Sequence, residues 1–478
     1  MRKKIILFVS LAVFIVSLMG GIMLVQAAEK PVKLTVVGDA GHNQRPWEWY
    51  KKDFLKLYNV DLKIVGVPFA EVYEKEKIEF VTHTGAYDIV TFYPKYLGDF
   101  AGNGYLYPLD EFIAKLDPHL EDVTPGYRDF YCKYKGKIYA LPYDGDILNL
   151  YYRKDLFENP EEKANFKAKY GYELRPPKTW KEYHDIAGFF TRKKGETLAG
   201  KVLQRDFYGA AFYGQRDWCW AWWGNRFASY GGVYFDEDTM EPMINSPAGV
   251  KALEDMIEIK KYCPPNVLAF GYEELKDAFL NGDTAMVIQW PCVGKKGADP
   301  AQSKIVGKIG VTTVPGVIKD GELYRRAMMP CGRVLGIAKE SEYPWKAYQV
   351  IWHVSYKTSM DDVSTAKTGL DPYRYSHFQH PEKYEMFSTI EAAKIYLEGV
   401  KSNMEAGYPE LVIPGAEQYE DVLGRKITEA LSGGKSAKQA LDEVAKEWDK
   451  ITNRFGREKQ KQLYKNLVAG WRKAGLWK

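Results

Sequence analysis

Leu34-Thr35-Val36-Val37-Gly38-Asp39 is a short apolar run that stops at a glycine and an acid. Working outward from it, Trp47, Tyr50, Phe54 and Leu57 recur at helical spacing between Trp47 and Tyr58. Asp61 to Gly66 predicts a second strand, Glu71 to Val81 a helix, and Asp88-Ile89-Val90-Thr91-Phe92 a third strand. Repeated strand, helix and strand predict an α/β fold with a parallel sheet covered by helices. Ligands of such sheets gather beyond the carboxyl ends of the strands, which here are Gly38 to Gln44 and Phe92 to Lys95. Asp39, His42 and Tyr93 are candidate ligand contacts on that ground alone.

The middle of the chain is helix-rich and well punctuated. Thr179-Trp180-Lys181-Glu182 predicts a capping box, and Ser246-Pro247 an N-cap followed by proline at the first helical position. Further strands are predicted at Thr284 to Gln289, Ile309 to Val314 and Val334 to Ala338, with a helix from Pro344 to about Ser355. The last hundred or so residues read as helices, with a capping box at Ser436-Ala437-Lys438-Gln439. There is no internal repeat, low-complexity tract or Gly/Ser linker, which argues against domains strung on flexible tethers.

The chain has 478 residues, 46% hydrophobic and 27% charged, which is globular composition and excludes a wholly disordered protein. Arg2-Lys3-Lys4, an apolar run from Ile5 to Met19, and Val25-Gln26-Ala27 before Ala28 have the layout of a secretory signal. Export to the periplasm or beyond, with cleavage near Ala27-Ala28, is expected. No cysteine there could accept a lipid, and an uncleaved anchor holding a sensor domain is the other reading. Without Arg2, Lys3 and Lys4 the chain carries 64 basic against 63 acidic side chains. So even a balance gives no electrostatic reason to grip nucleic acid or an anionic membrane. The 35 tyrosines and 13 tryptophans are more amphipathic rings than a core needs, which suggests that some face a ligand.

Enzyme chemistry is poorly represented. Gly433-Gly434-Lys435-Ser436 imitates the end of a phosphate loop, but Glu429 stands where the leading glycine belongs. His377 and His380 could share a helix face, yet no carboxylate pattern completes a metal site, and both are expected at the surface. No metal or cofactor is expected. Cys132, Cys219, Cys263, Cys292 and Cys331 show no metal or redox spacing; their odd number leaves at least one thiol unpaired. Asp144 and Asp146 flank a glycine, which keeps a secreted glycoside hydrolase as the rival reading.

The segment Lys135-Gly-Lys-Ile-Tyr-Ala-Leu-Pro-Tyr143, continuing Asp144-Gly-Asp-Ile-Leu-Asn-Leu-Tyr-Tyr-Arg-Lys-Asp-Leu-Phe157, resembles the crossover region of bacterial family-1 extracellular solute-binding proteins. These are the maltose-binding-protein-like components of ABC importers. Pro177 to Tyr183, Asn245 to Leu253, Phe279 to Ile288 and Ala430 to Ser436 agree with the family in the same order. The resemblance implies a type II periplasmic-binding-protein fold, two lobes with mainly parallel sheets and a ligand cleft between them. It implies crossings near Tyr143 to Asn149 and near Pro315 to Glu322. The expected division is 1–27 as signal, 28–145 with 316–360 as the first lobe, and 146–315 with 361–478 as the second. Glu158 to Arg175 and the tail after Ile451 look longer than a minimal family member, so residues do not transfer by simple offset.

The implied function is reversible capture of a carbohydrate by a monomer, without chemistry, and delivery to membrane permease subunits. Rings would cover the C–H faces of a sugar while acids and Arg satisfy its hydroxyls. Trp218, Trp220, Trp222 and Trp223 lie within six residues, and four indole N–H groups look hard to bury together. In the family, aromatics preceding the paired glycine, here Gly231-Gly232, reach the cleft. Trp290 follows a strand at its ligand-facing end, where the family also places an aromatic. Asp146 matches an acidic ligand position of the family, and Asp144 is the neighbour that could substitute. Tyr419 roughly matches a stacking aromatic, and Arg333, after Pro330-Cys331-Gly332, is a further buried-cleft candidate.

Overall fold

The computed structural model describes residues 30–477. The expected signal segment therefore lies outside the described residues. Among those described, no helix is long and apolar enough to cross a membrane.

Strands β1 (Val32–Asp39), β2 (Val60–Val67), β3 (Ile89–Phe92) and β4 (Ala140–Pro142) belong to a first sheet. β5 (Asn149–Arg153), β6 (Tyr208–Ala211), β7 (Thr284–Gln289) and β8 (Ile309–Thr312) form a second. The chain then runs through β9 (Ala327–Met329) to β10 (Val334–Ile337) and later β11 (Gly407–Pro409). The first sheet has the order β2-β1-β3-β10-β4 and the second β6-β7-β5-β8. Every residue of β3 and β7 is buried, as suits continuous apolar runs covered on both faces.

The expectation of mainly parallel sheets holds only for the home strands. β2 and β3 flank β1 in parallel and β6 pairs β7 in parallel, but β10 runs antiparallel to β3 and β5 antiparallel to β7. The cause is topological. Home strands end at the cleft, whereas β5 and β10 enter from the crossing segments and begin there.

The second crossing also lies later than expected. Residues 316–325 form a hairpin of Gly316–Lys319 with Glu322–Arg325. The segment that runs beside the first crossing is 328–333: Leu148 N donates to Met328 O at 2.9 Å and Asp144 N to Arg333 O at 3.1 Å. β9, at the start of this segment, pairs β11 in parallel. The C-terminal helix Arg457–Lys473 crosses the same region. Gly470 abuts Phe130 of the turn Gly126–Tyr131, and Arg326 donates to the Leu476 carbonyl.

Local signals act mostly as read. Thr179 Oγ1 accepts from Glu182 N at 3.2 Å, although the Glu182 carboxylate turns to Lys178 N and Arg175 instead of closing the box. Ser436 and Gln439 cap each other. The helix read across Trp47 to Tyr58 breaks at Tyr50 into Arg45–Trp49 and Lys51–Tyr58. All five cysteines are free and buried. His377, expected at the surface, is instead buried, where Nδ1 accepts from Tyr373 N at 3.3 Å.

Candidate functional site

A cavity of about 440 Å³ lies between the two sheets, lined from both sides. From the first come Asp39, His42, Asn43 and Phe69; from the second Tyr213, Asp217, Tyr272 and Trp290; from the crossings Asp146, Cys331 and Arg333. β1 delivers Asp39 at its carboxyl end. Gly41, at φ 108°, then makes a turn that a β-carbon would strain, and this swings His42 and Asn43 into the wall.

Arg333 is the electrostatic centre. Its Nε and Nη2 meet the two oxygens of Asp39 at 2.8 and 2.9 Å, and Nη1 lies 2.6 Å from Asp144 Oδ2 and 3.5 Å from Asp146 Oδ2. Asp144 Oδ1 accepts from Asp371 N at 2.7 Å, and Asp371 lies 3.3 Å from the Lys295 ammonium. Burial, and then repulsion from Asp144, push the Asp146 carboxyl well above the usual carboxylate range. Burial likewise lifts Asp371 to about 7. Burial and then the nearby Lys296 and Arg333 cations lower His42 to about 2, so its ring is neutral.

The expected site residues divide into three groups. Asp39, His42, Asp146, Trp290 and Arg333 line the cavity. Asp144, Tyr93 and Trp218 stand one layer behind. Asp144 is fully buried with its oxygens committed to Arg333 and Asp371 N, so it cannot reach a scissile bond as the hydrolase reading requires. The Tyr93 ring packs against Phe69 at 5.3 Å, and Trp218 sits between Phe69 and Trp290 with Lys95 Nζ 4.2 Å above it.

Trp220, Trp222, Trp223 and Tyr419 fall outside the lining and correct the expectation. Each of the three indoles finds a carbonyl, from Asp217, Ile288 and Gly249 respectively, at 3.1, 2.9 and 3.2 Å. Backbone acceptors thus let the cluster be core. Tyr419 faces the helix Ala437–Phe455, bonding Thr452 and packing on Trp448. Trp290 itself is held by Pro330 O at 3.2 Å, with Tyr213, Trp218 and Trp222 against it at 88°, 79° and 84°.

Asn43, Phe69, Tyr213, Asp217 and Tyr272 were not singled out from the sequence. Asn43 lies within the strand-end stretch Gly38 to Gln44, so its position was signalled; Tyr213 and Asp217 lie on the loop after β6, and Phe69 and Tyr272 open the helical segments Phe69–Glu71 and Tyr272–Leu280, whose approach only the fold reveals. Carboxylate oxygens of Asp144, Asp146 and Asp371 come within 4.8 Å of one another, as do ligand atoms of the solvent-facing Asp117, His119 and Glu121. In the first group Arg333 and Lys295 already supply two positive charges.

Two α/β units joined by the crossing segments, with a polar and aromatic cavity between them, define a two-lobe binding protein. Residues 41–351 match the family described as bacterial extracellular solute-binding protein, and the chain belongs to that family. It is 24% identical over 386 residues to the mannitol-binding protein of Pseudomonas aeruginosa, spanning 76% of this chain and 80% of that one. Among solved structures, a solute-binding protein of Agrobacterium radiobacter in complex with ribitol is 26% identical, with TM-score 0.72 over 88% of this chain and 100% of that one. Maltose-bound MalE3 of T. maritima shares the fold, with TM-score 0.71 at 22% identity over 88% of this chain and 100% of that one.

Proposed function

We propose that the protein captures a sugar or sugar alcohol reversibly between its lobes and hands it, unaltered, to the membrane permease of an ABC importer. The observation that carries this is a cavity walled by both lobes, with the Trp290 indole and the acids Asp39 and Asp146 on it. Ring and carboxylates suit the apolar and hydroxyl faces of a polyol. The relatives named for mannitol and ribitol support the same ligand class.

Bound ligand stabilises the closed form because only that form offers both sets of contacts. Lys95 adds a cross-lobe tie, with Nζ 2.7 Å from Glu417 and 3.1 Å from Glu420. The lobes are 30–142 with 334–360 and 150–326 with 375–477, the intervening residues forming the hinge. The chain works as an exported monomer, freed of its first 27 residues, outside the cytoplasm.

Titration calorimetry with sugars and polyols tests the reading, together with chromatography of the recovered ligand. Saturable binding with the ligand returned intact is expected. Ligand cleavage, or no heat from any polyol or saccharide, overturns it.

A further inference from the structure

Beside the cavity, the two lobes meet a second time through the protein's own charges. Lys95 stands just past the carboxyl end of β3, in the short turn Pro94–Tyr96, and is buried. Its ammonium reaches into the other lobe. Nζ lies 2.7 Å from Glu417 and 3.1 Å from Glu420, both on the helix Ala416–Leu431, and 4.2 Å from the centre of a Trp218 ring. The two acids are three residues apart, so they share one face of that helix. Neither they nor Lys95 line the cavity.

The backbone brings the partners together. Gly415 N donates to Asp99 Oδ1 at 3.0 Å, and a β-carbon at Gly98 would stand 2.5 Å from the Ile413 carbonyl carbon. The first-lobe helix Leu97–Gly102 thus sits directly on the segment that leads into the helix carrying both acids.

The charges at this contact do not balance. Glu410, buried after β11, faces the same ammonium, so three carboxyls share one cation. Glu420 also faces the phenols of Tyr131 and Tyr234; Tyr96 and Asp99 lie towards Glu417, and Asp217 towards Lys95. None of these adds a positive charge. A buried carboxyl without a counter-ion of its own favours the neutral acid. Burial is the first cause lifting Glu420 to about 8, with Lys95 opposing it and Glu417 adding to it. Burial and then Glu420 hold Glu410 well above the usual carboxylate range. With the lobes apart, Glu420 would face water and ionise near the ordinary value of about 4.3.

We propose that Lys95, Glu417 and Glu420 form a latch that holds the lobes together without touching the ligand, and that closing it places a proton on Glu420. The latch rests on the two-lobe reading above. Because the closed form holds the extra proton, acid favours closure, and the balance moves towards the open form as pH rises through the window between the two values. The shift is up to about tenfold per pH unit. A ligand that needs the closed form is then bound in proportion to the closed fraction.

The test is small-angle X-ray scattering from the full chain without ligand, at about pH 6 and about pH 9, on either side of the closed-form value. The radius of gyration of the parent is expected to rise between the two. Glu420→Gln keeps an acceptor for Lys95 but takes up no proton, and should lose at least half of that rise. Lys95→Met should be more extended than the parent at the lower pH, and so should Glu417→Ala, which carries the latch test if Lys95→Met does not fold. Circular dichroism reports the folding of each variant. A parent radius that does not change with pH, or an equal rise in Glu420→Gln, overturns the proton link. Folded Lys95→Met or Glu417→Ala as compact as the parent at the lower pH overturns the latch. No ligand enters the experiment, so either failure leaves the capture reading to its own calorimetric test.

Discussion

Arg333 and Asp39 form a two-point ion pair, 2.8 and 2.9 Å, between the second crossing and the end of the first strand. The pair welds the hinge to the ligand-facing edge of the first sheet. Three buried carboxylates depend on this one guanidinium. Removing one partner from a buried ionic group costs about 3–5 kcal/mol, because the others stay uncompensated. Arg333→Met should therefore lower the unfolding free energy from urea titration by that amount, seen as a lower midpoint at unchanged slope. Arg333→Lys should recover only part, since an ammonium cannot span both Asp39 oxygens.

Trp290 is both platform and packing. Trp290→Ala should weaken ligand by about 2 kcal/mol or more, roughly thirtyfold. It should also cost stability, about 3–5 kcal/mol for truncating a buried indole. Trp290→Phe separates the effects in calorimetry and melting: a smaller loss of fold, with the stacking face kept.

Asp362 carries a pH signature. Burial raises its carboxyl to about 7, against a pair of hydrogen bonds from Tyr50 and Thr358 that favour the ionised form. The folded value lies above the unfolded one, near 4. Folding thus takes up a proton between about pH 4 and 7, and stability falls as pH rises through that window, then levels off. Asp362→Asn should flatten this part of the stability curve relative to the parent, as read from urea midpoints at each pH.

The thiols make a simpler prediction. All five cysteines are free and buried, and burial lifts the Cys292 thiol to about 12. A thiol reagent should react negligibly with native protein and with five groups in guanidinium. Cys292 and Cys331 line the cavity, so any slow native reaction should map to them and be suppressed by ligand.

Legibility from the sequence followed the range of the interactions. β1, β3 and β7 announced themselves because a buried strand is a continuous apolar run, and Ser436-Gln439 capped its helix as written. Of the residues that line the cavity, Asp39 and His42 were named from a strand end, Trp290 from a strand end together with the family resemblance, and Asp146 from the resemblance. The tryptophan cluster misled because indole N–H partners were long-range carbonyls, such as Ile288 for Trp222. Tyr419 failed because the rotation of its helix is set by Trp448, which sequence spacing does not encode. Tyr213, Asp217 and Tyr272 meet the cavity only after the loop following β6 and the start of the helix Tyr272–Leu280 converge.

The strand order of the first sheet has a consequence for how the protein is made. β5 to β8 come from one unbroken stretch of chain, so the second sheet can assemble before the last third of the chain has joined it. The first cannot, because β10 must slip between β3 and β4 long after both have emerged. Until then Asp39, Asp144 and Asp146 await their guanidinium. The half of the molecule nearest the amino terminus should be the later to set, and its acids should stay hydrated until Arg333 has joined them.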